Sequence, residues 1–399
     1  MARRQRRRHR RGDHRRRGRR GRRGRRHARP AARLRRRGRP GPRHRLAAGR
    51  GARRGPRARP GDGGGTVTTA RTRLVSVVVV TYDTRDETLV ALRSVAGGFT
   101  TTGHELVVVD NGTDGTADAV RAELPGVVVE PGANVGFAAA VNLAVAHASG
   151  DGVLLLNPDT QVLPGALQRL VDFADAHPAH GLYGGRTLRP DGTTDPSSCW
   201  GEPSLWSLAC FALGLTTAFR RSRLLDPESL GRWERDTVRE VPVVTGCLLF
   251  APRPVWDALG GLDETYFLYG EDAELSVRAR RRGLRPVVVP DATIVHAVGG
   301  STASSGRKLC MVLAGKTTLL RSTWHPVAAR AGVAMLATGV LLRARLETRR
   351  GRDGHWALVW ERRADWLPGY PHARGALFGE PDRPAPDPAA PGHTAGAAA

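Results

Sequence analysis

Cysteine is scarce and ungrouped in this 399-residue chain: Cys199, Cys210, Cys247 and Cys310 form no C-x-x-C pair and no metal-binding spacing. Thiols scattered in this way read as buried side chains in a reducing compartment, not as a disulfide or zinc framework. The N-terminus lacks the apolar segment of a secretory signal. No apolar run in the sequence reaches the ~18–20 residues that a membrane span requires. Neither G-x-G-x-x-G nor G-x-x-x-x-G-K-[ST] follows a predicted strand, which argues against dinucleotide binding and P-loop chemistry. These absences predict a cytoplasmic protein.

Acidic charge is almost missing from residues 1–60, which hold 29 Arg, no Lys and one acid, Asp13, for a net of +28. The other 339 residues carry 34 basic and 36 acidic side chains, a net of −2, so the whole-chain +26 comes from one end. The neutral remainder offers no basic groove and no interleaving of aromatic and basic residues, which argues against a nucleic-acid-binding protein. Residues 1–66 have little to bury and are expected to be disordered. Three readings of them stand: a tail for RNA or anionic lipid, a solvated linker, or a stretch that is not translated. Arg, Gly, Pro and Ala come from GC-rich codons and Val67 could be a GTG start, which favours the third.

From Leu74 onward, strand and helix patterns alternate. LVSVVVVTYDT is a β-branched run of the kind buried in a parallel sheet. Arg85 to Val95 has helical spacing, with Leu89, Leu92 and Val95 on one face. HELVVVDNGTDGT gives a second strand through Val109, a Gly-rich turn and a helix from about Thr116. VVVE (127–130) predicts a third strand, residues 134–147 a small-residue helix, and Val153–Leu156 a fourth strand. This alternation predicts βαβ units and a doubly wound, mostly parallel sheet flanked by helices.

The stretch VLLLNPDT organises the rest. Its apolar residues form a short strand, and Pro158, which has no N–H to donate, ends the ladder and leaves Asp159 on a loop. Ligands of open α/β sheets lie outside the carboxyl ends of strands. Asp159 therefore points into a site, or it caps the helix that begins near Pro164. Asp83 and Asp110 also end strands, and three strand-end acids in one sheet suggest a nucleotide and metal site.

In the second half, Trp200, Trp206, Phe211 and Phe219 read as packing residues, with an acceptor-binding surface as the alternative. VPVVTGCLLFAP (241–252) reads as one strand, Gly260–Gly283 as a loop leading into an Arg-rich helix, and Arg285–Thr302 as a strand followed by His296 in a Gly/Ser-rich loop. Beyond Lys308 the pattern is helical. VAARAGVAMLATGVLL, interrupted by Arg330, predicts a helix lying on the domain or on a membrane surface. Flanking Arg321, Arg343, Arg345, Arg349 and Arg350 favour peripheral contact at the inner face of the cell membrane.

VVVVTYDT, VVVDNGTDGT, NVGFAAAVN, LLLNPDT, GCLLFAPRPVWDALGGLDETYFLYGEDAELSVRARRRG and HAVGGST occur in that order over about 250 residues. Together they resemble the family 2 glycosyltransferases of the GT-A fold, in the rhamnosyltransferase-like branch. The resemblance implies an α/β GT-A catalytic domain over residues 74–305. Its nucleotide-binding half would be 74–160 and its acceptor and catalytic half 161–305, followed by a helical extension over 306–375 and a disordered tail over 376–399. It implies an inverting, metal-dependent enzyme that takes a nucleotide-diphosphate sugar, dTDP-L-rhamnose first, to a glycan or polyprenyl-linked acceptor. Galactofuranose, mannose or N-acetylglucosamine are the alternative sugars.

Displacing a diphosphate calls for charge stabilisation, which Mg²⁺ or Mn²⁺ supplies while preferring carboxylate oxygen. By match to the family, Asp159 and His296 would hold that ion. Asn157 stands where the family often has a further acid. Asp272 matches the catalytic base, and the adjacent Glu271 would position it or cap the helix that follows. Thr81, Tyr82 and Asp83 would line the base pocket, with Asp110 and Asn111 on base or ribose. Asn134, Gly136, Phe137 and Asn142 resemble the segment near ribose and sugar. Arg278 would reach the diphosphate or stay solvated.

Overall fold

A computed structural model of the chain describes residues 72–296, 306–351 and 354–378. The expectations for residues 1–66, for Val67, for the loop after His296 and for the tail beyond 378 lie outside the described residues.

The first half alternates strand and helix. It runs β1 (Leu74–Thr81), α1 (Arg85–Gly98), β2 (Gly103–Asp110), α2 (Thr116–Glu123), β3 (Val127–Val129), α3 (Phe137–Ala146) and β4 (Gly152–Leu156). Then come β5 (Thr160–Val162), α4 (Ala166–Ala176), β6 (Tyr183–Leu188), β7 (Thr194–Asp195) and β8 (Cys199–Trp200). The helical pieces α5 (Leu205–Ala212) and α6 (Leu215–Ala218) precede β9 (Arg239–Glu240), β10 (Val243–Val244), β11 (Leu248–Pro252) and α7 (Arg253–Leu259). The chain continues through α8 (Glu271–Arg281), β12 (Val287–His296), α9 (Gly306–Thr323) and α10 (Pro326–Arg349). It closes with α11 (His355–Glu361), α12 (Arg363–Trp366) and α13 (His372–Phe378).

The main sheet has the order β3-β2-β1-β4-β11-β6-β12-β5, with β7 on β6 and β9 on β12. Strands β3, β2, β1 and β4 are parallel, β11 enters antiparallel between β4 and β6, and β6 and β12 are again parallel. Alternation along β1 explains the two layers, since successive strand residues face opposite sides. Val75, Val77 and Val79 pack with Leu89, Leu92 and Val95 of α1, whereas Val78 and Val80 pack with Ala138, Ala140 and Val141 of α3. A third core, around Tyr266, Phe267, Leu336, Trp366 and Tyr370, joins α9–α13 to the loop before α8.

Three expectations are corrected. The single strand expected at 241–252 is two, β10 and β11, because Thr245-Gly246-Cys247 leaves the ladder and turns its backbone toward α8. Helix α10 runs for 24 residues, long and apolar enough to cross a membrane by length and composition. Yet 44% of its apolar window is buried, and one face of it packs against α5, α9 and α11, so it lies on the domain, one of the two expected placements. Finally, Trp200, Trp206 and Phe219 are 40%, 51% and 51% exposed, so the packing reading fails for three of those four aromatics.

Candidate active site

The register of β5 against β12 builds the first part of the site. Thr160 pairs with His296, which sets Asp159, one residue before β5, beside the last residue of β12. His296 Nε2 lies 3.0 Å from Asp159 Oδ1. The alternative role for Asp159 is not taken, since α4 starts after Gly165 with no side-chain cap. On the opposite side of the ring, His296 Nδ1 lies 3.5 Å from Asp195 Oδ2. Asp195 is buried on β7, and its other oxygen accepts the Ser197 N–H at 3.1 Å. Burial alone lowers the His296 pKa, but the hydrogen bonds and charges of the two carboxylates outweigh it and bring it up to about 9.

The second part comes from the start of α8. Asp272 Oδ1 accepts the Ala273 N–H at 2.7 Å, and Oδ2 accepts the Gly246 N–H at 3.3 Å across the gap between β10 and β11. Burial pushes both Asp272 and Glu271 above the usual carboxylate range, and for Glu271 the Asp272 charge adds to it. Glu271 Oε2 is buried with no hydrogen-bond partner among the described residues, which suits a neutral carboxyl. Cys247 joins the two parts. Asn157 donates its backbone N–H to the Cys247 carbonyl at 3.1 Å, and the Asn157 amide lies 3.4 Å from Sγ. Burial pushes the thiol up to about 12, and the charges of Asp272, Asp159 and Asp195 add to that shift.

C-terminal helices brace the turn before the acidic pair. Tyr269 has φ +69° and Gly270 φ +107°. A Cβ on Gly315 of α9 would fall 1.9 Å from the Tyr269 carbonyl oxygen, so only glycine allows this approach. Tyr370 Oη donates to the Leu268 carbonyl at 2.7 Å, and Phe378 stands 4.2 Å from Phe267, centroid to centroid.

The nucleotide half is a neighbouring cluster at the ends of β1 and β2. Tyr82 is exposed, and Asp83, at φ +51°, accepts the Thr113 N–H at 2.9 Å. Asp110 is buried and accepts the N–H groups of Gly112 and Ala117, both at 2.9 Å. Asn111 donates to the Gly136 carbonyl at 3.3 Å, and Asn134 accepts the Gly136 N–H at 3.0 Å. Phe137 donates its N–H to the Phe267 carbonyl at 2.7 Å, linking this cluster to the loop before α8.

For three of the expected residues the structure shows other side-chain partners. Thr81 is fully buried, and its hydroxyl pairs with those of Thr88 and Thr84 and not with a pocket. Asn142 clasps Leu262 through both its N–H and its carbonyl, at 2.9 Å each. Arg278 is held by Glu274 and by the carbonyls of Leu259 and Gly261. Both side chains thus lock one Gly260-Gly261 turn. Asp195 was missed, because an Asp before Pro-Ser-Ser reads as a turn residue and only the β6–β7 pairing brings it to His296.

Asp159 and His296 are of the side-chain types that ligate a divalent cation, but their 3.0 Å contact is a hydrogen bond, and among the described residues no group of three or more His, Cys, Asp or Glu is placed to hold an ion. With a carboxyl held on backbone N–H groups close by, the cluster has the parts of a group-transfer site at a sheet's carboxyl edge.

Comparison with known proteins fixes the class. The model of the family described as Glycosyl transferase family 2 matches residues 76–224. The N-acetylglucosaminyl-diphospho-decaprenol L-rhamnosyltransferase of Mycobacterium tuberculosis is 34% identical over 254 residues, covering 58% of this chain and 78% of that protein. An O-antigen biosynthesis protein of Myxococcus xanthus is 30% identical over 156 residues, 39% of this chain and 12% of that one. A mannosyltransferase of Pyrobaculum calidifontis, solved with GDP-Man and Mn²⁺, is similar at 20% identity and a TM-score of 0.44, over 78% of this chain and 84% of that one. The chain is an α/β glycosyltransferase. It belongs to glycosyl transferase family 2 and has a rhamnosyltransferase among its relatives.

Proposed function

We propose that this enzyme moves L-rhamnose from dTDP-rhamnose to a hydroxyl of a lipid-linked envelope glycan, with inversion and with a divalent cation bound. The observation that carries the reading is the link through Gly246-Cys247: the Gly246 N–H donates to Asp272, and the Cys247 carbonyl accepts from Asn157, two residues before the Asp159 that meets His296. The sugar and acceptor rest on the mycobacterial relative, whose name states both. A lipid-linked acceptor sets the enzyme at the inner face of the cell membrane.

Asp272 is the proposed base. Its two oxygens are fixed by backbone N–H groups, and burial raises its proton affinity, so once ionised it is a stronger acceptor than a solvated aspartate. It takes the proton of the acceptor hydroxyl as that oxygen bonds to the sugar's anomeric carbon. The bond from that carbon to the diphosphate breaks on the opposite face, the electron pair leaves with the nucleoside diphosphate, and configuration inverts. Asp159 and His296 would hold Mg²⁺ or Mn²⁺, which supplies neutralisation of the leaving diphosphate. Glu271, buried and neutral, shields Asp272 from water and adds no second charge. The cluster of Tyr82, Asp83, Asp110, Asn111 and Asn134 would receive the nucleotide, with Gly136 and Phe137 beside the sugar.

The test is turnover of a panel of dTDP-, UDP- and GDP-sugars with Mg²⁺, with Mn²⁺ and with chelator, followed by the anomeric configuration of the product. Turnover of dTDP-rhamnose, lost with chelator, is expected. Turnover confined to a galactofuranose, mannose or N-acetylglucosamine donor would replace the sugar. If no donor turned over while the chain bound RNA, function would pass to the Arg-rich segment.

A further inference from the structure

The α5–α6 region carries an apolar surface that the site does not use. Trp206, Leu213, Phe219 and Leu224 are 51%, 68%, 51% and 66% exposed, although all four are large and apolar. They form one neighbourhood. Trp206 donates its indole N–H to the Leu224 carbonyl at 2.7 Å. Gly214, next to Leu213, stands against Leu342 of α10, itself 36% exposed. Arg343 of α10 fastens α6 from beneath through the Phe211 carbonyl and the hydroxyls of Thr216 and Thr217. The residues stand out on a supported projection, not along a groove.

Arginine borders this surface. Arg221, Arg223, Arg232 and Arg239, with Trp233, line a cavity of about 730 Å³, and Arg220 is exposed beside Phe219. Of the nearby acids, Glu228 pairs with Lys316, Glu234 with Arg221 and Glu240 with Arg285, Asp226 accepts the Arg221 backbone N–H, and Asp236 is exposed, one acid against several arginines. Among the described residues, Arg220, Arg223 and Arg232 have no carboxylate partner. Exposed Trp, Phe and Leu beside uncompensated Arg is the composition that binds in the plane of a bilayer interface. There the apolar side chains enter the acyl boundary and the guanidinium groups meet headgroup phosphates.

We propose that this face docks the enzyme on an anionic phospholipid surface, with Trp206, Leu213, Phe219 and Leu224 inserted and the arginine cavity facing the phosphates. The proposal deepens the reading of a lipid-linked acceptor and moves the membrane contact from the expected α10 to the projection that α10 supports. An apolar protein partner would suit the apolar residues but would leave the unpaired arginines without a counter-charge.

The test is co-sedimentation of the full chain with phosphatidylcholine vesicles, with and without phosphatidylglycerol, against the double variant L213E/L224E. Both leucines already face solvent, so circular dichroism of the variant should be unchanged. The Arg-rich segment 1–66 is common to both proteins, and salt of about 0.5 M screens its purely electrostatic attraction. At that salt the wild type is expected to stay on anionic vesicles, with the variant weaker by on the order of tenfold or more. Quenching of tryptophan emission by brominated acyl chains is expected to fall in W206F. Equal binding by wild type and variant, or no quenching difference in W206F, would overturn the proposal. A wild-type dimer that the double variant makes monomeric would do so too, because the face would then be a self-interface. Transfer to a short, water-soluble acceptor is the separate control. Its absence in the wild type would overturn the transferase reading and leave the vesicle result standing, and its survival in L213E/L224E is expected.

Discussion

Asp195 Oδ2 stands 3.5 Å from His296 Nδ1, on the far side of the ring from Asp159. The charged imidazole donates to both carboxylates. When Nε2 carries no proton, Asp195 retains the remaining one on Nδ1 and the Nε2 lone pair faces Asp159. A carboxylate behind a metal-bound histidine fixes its tautomer and orientation, and removing it typically weakens metal affinity by about 10–100-fold. D195A is therefore expected to raise the Mn²⁺ concentration needed for half-maximal turnover by about that factor. Direct titration of Mn²⁺ with dTDP present should show the same weakening, while the KM for the sugar donor changes little. D195N, which keeps an oxygen acceptor, should fall between. Unchanged Mn²⁺ affinity in D195A would remove this role.

For Asp272, the substitution D272N keeps shape and burial and deletes the proton acceptor. Loss of a positioned base costs about a hundred- to ten-thousand-fold in rate. Transfer is expected to fall by that much with dTDP binding retained, since Asp272 touches only Ala273 and Gly246 among its hydrogen-bond donors. Calorimetry beside turnover separates the two. Transfer within a few-fold of wild type would assign the base elsewhere.

Much of this geometry was legible in the sequence, for identifiable reasons. The β-branched runs of β1 and β2 and the small residues of α3 carry their period in local composition, so strands, layers and the three strand-end acids could be read. Asp159 and His296 were paired by motif, and the β5–β12 register supplies the physical basis. Asp195 was not legible, because its contact depends on strand pairing between residues far apart in sequence. Thr81, Asn142 and Arg278 misled for a related cause. By match to the family these polar residues were assigned to ligand, whereas their side chains bond to backbone and hydroxyl groups nearby. The exposure of Trp206 and Phe219 was equally invisible, since an aromatic residue beside apolar neighbours looks like core until the fold leaves it uncovered.

Gly315 links the C-terminal helices to the acidic pair, and the sign of its substitution is diagnostic. In an unconstrained helix interior, Gly→Ala stabilises by about 0.5–1 kcal/mol. Here the new Cβ would meet the Tyr269 carbonyl oxygen at 1.9 Å, and backbone cannot yield as a side chain does. G315A is expected to destabilise by about 1–3 kcal/mol and to lower kcat by displacing Tyr269-Gly270 and with it Asp272. Thermal melting and turnover check both. A stabilised, fully active G315A would show that α9 does not brace the turn.

Glu271 gives a pH test with a definite sign. Burial, with the Asp272 charge added, holds its pKa above the ordinary 4.5, so the folded chain keeps a proton that the unfolded chain releases. The unfolded state therefore binds fewer protons between 4.5 and the raised value, and stability falls as pH rises through that window. Below it both states are protonated and the group contributes no slope; above it both are ionised and the loss is complete. E271Q has no proton to release, so its Tm relative to wild type should climb across the window and level off on the alkaline side. A Tm difference that stays flat from acid to alkaline pH would mean that Glu271 is not held neutral. Retained transfer in E271Q would confirm that it insulates Asp272 and takes no proton itself.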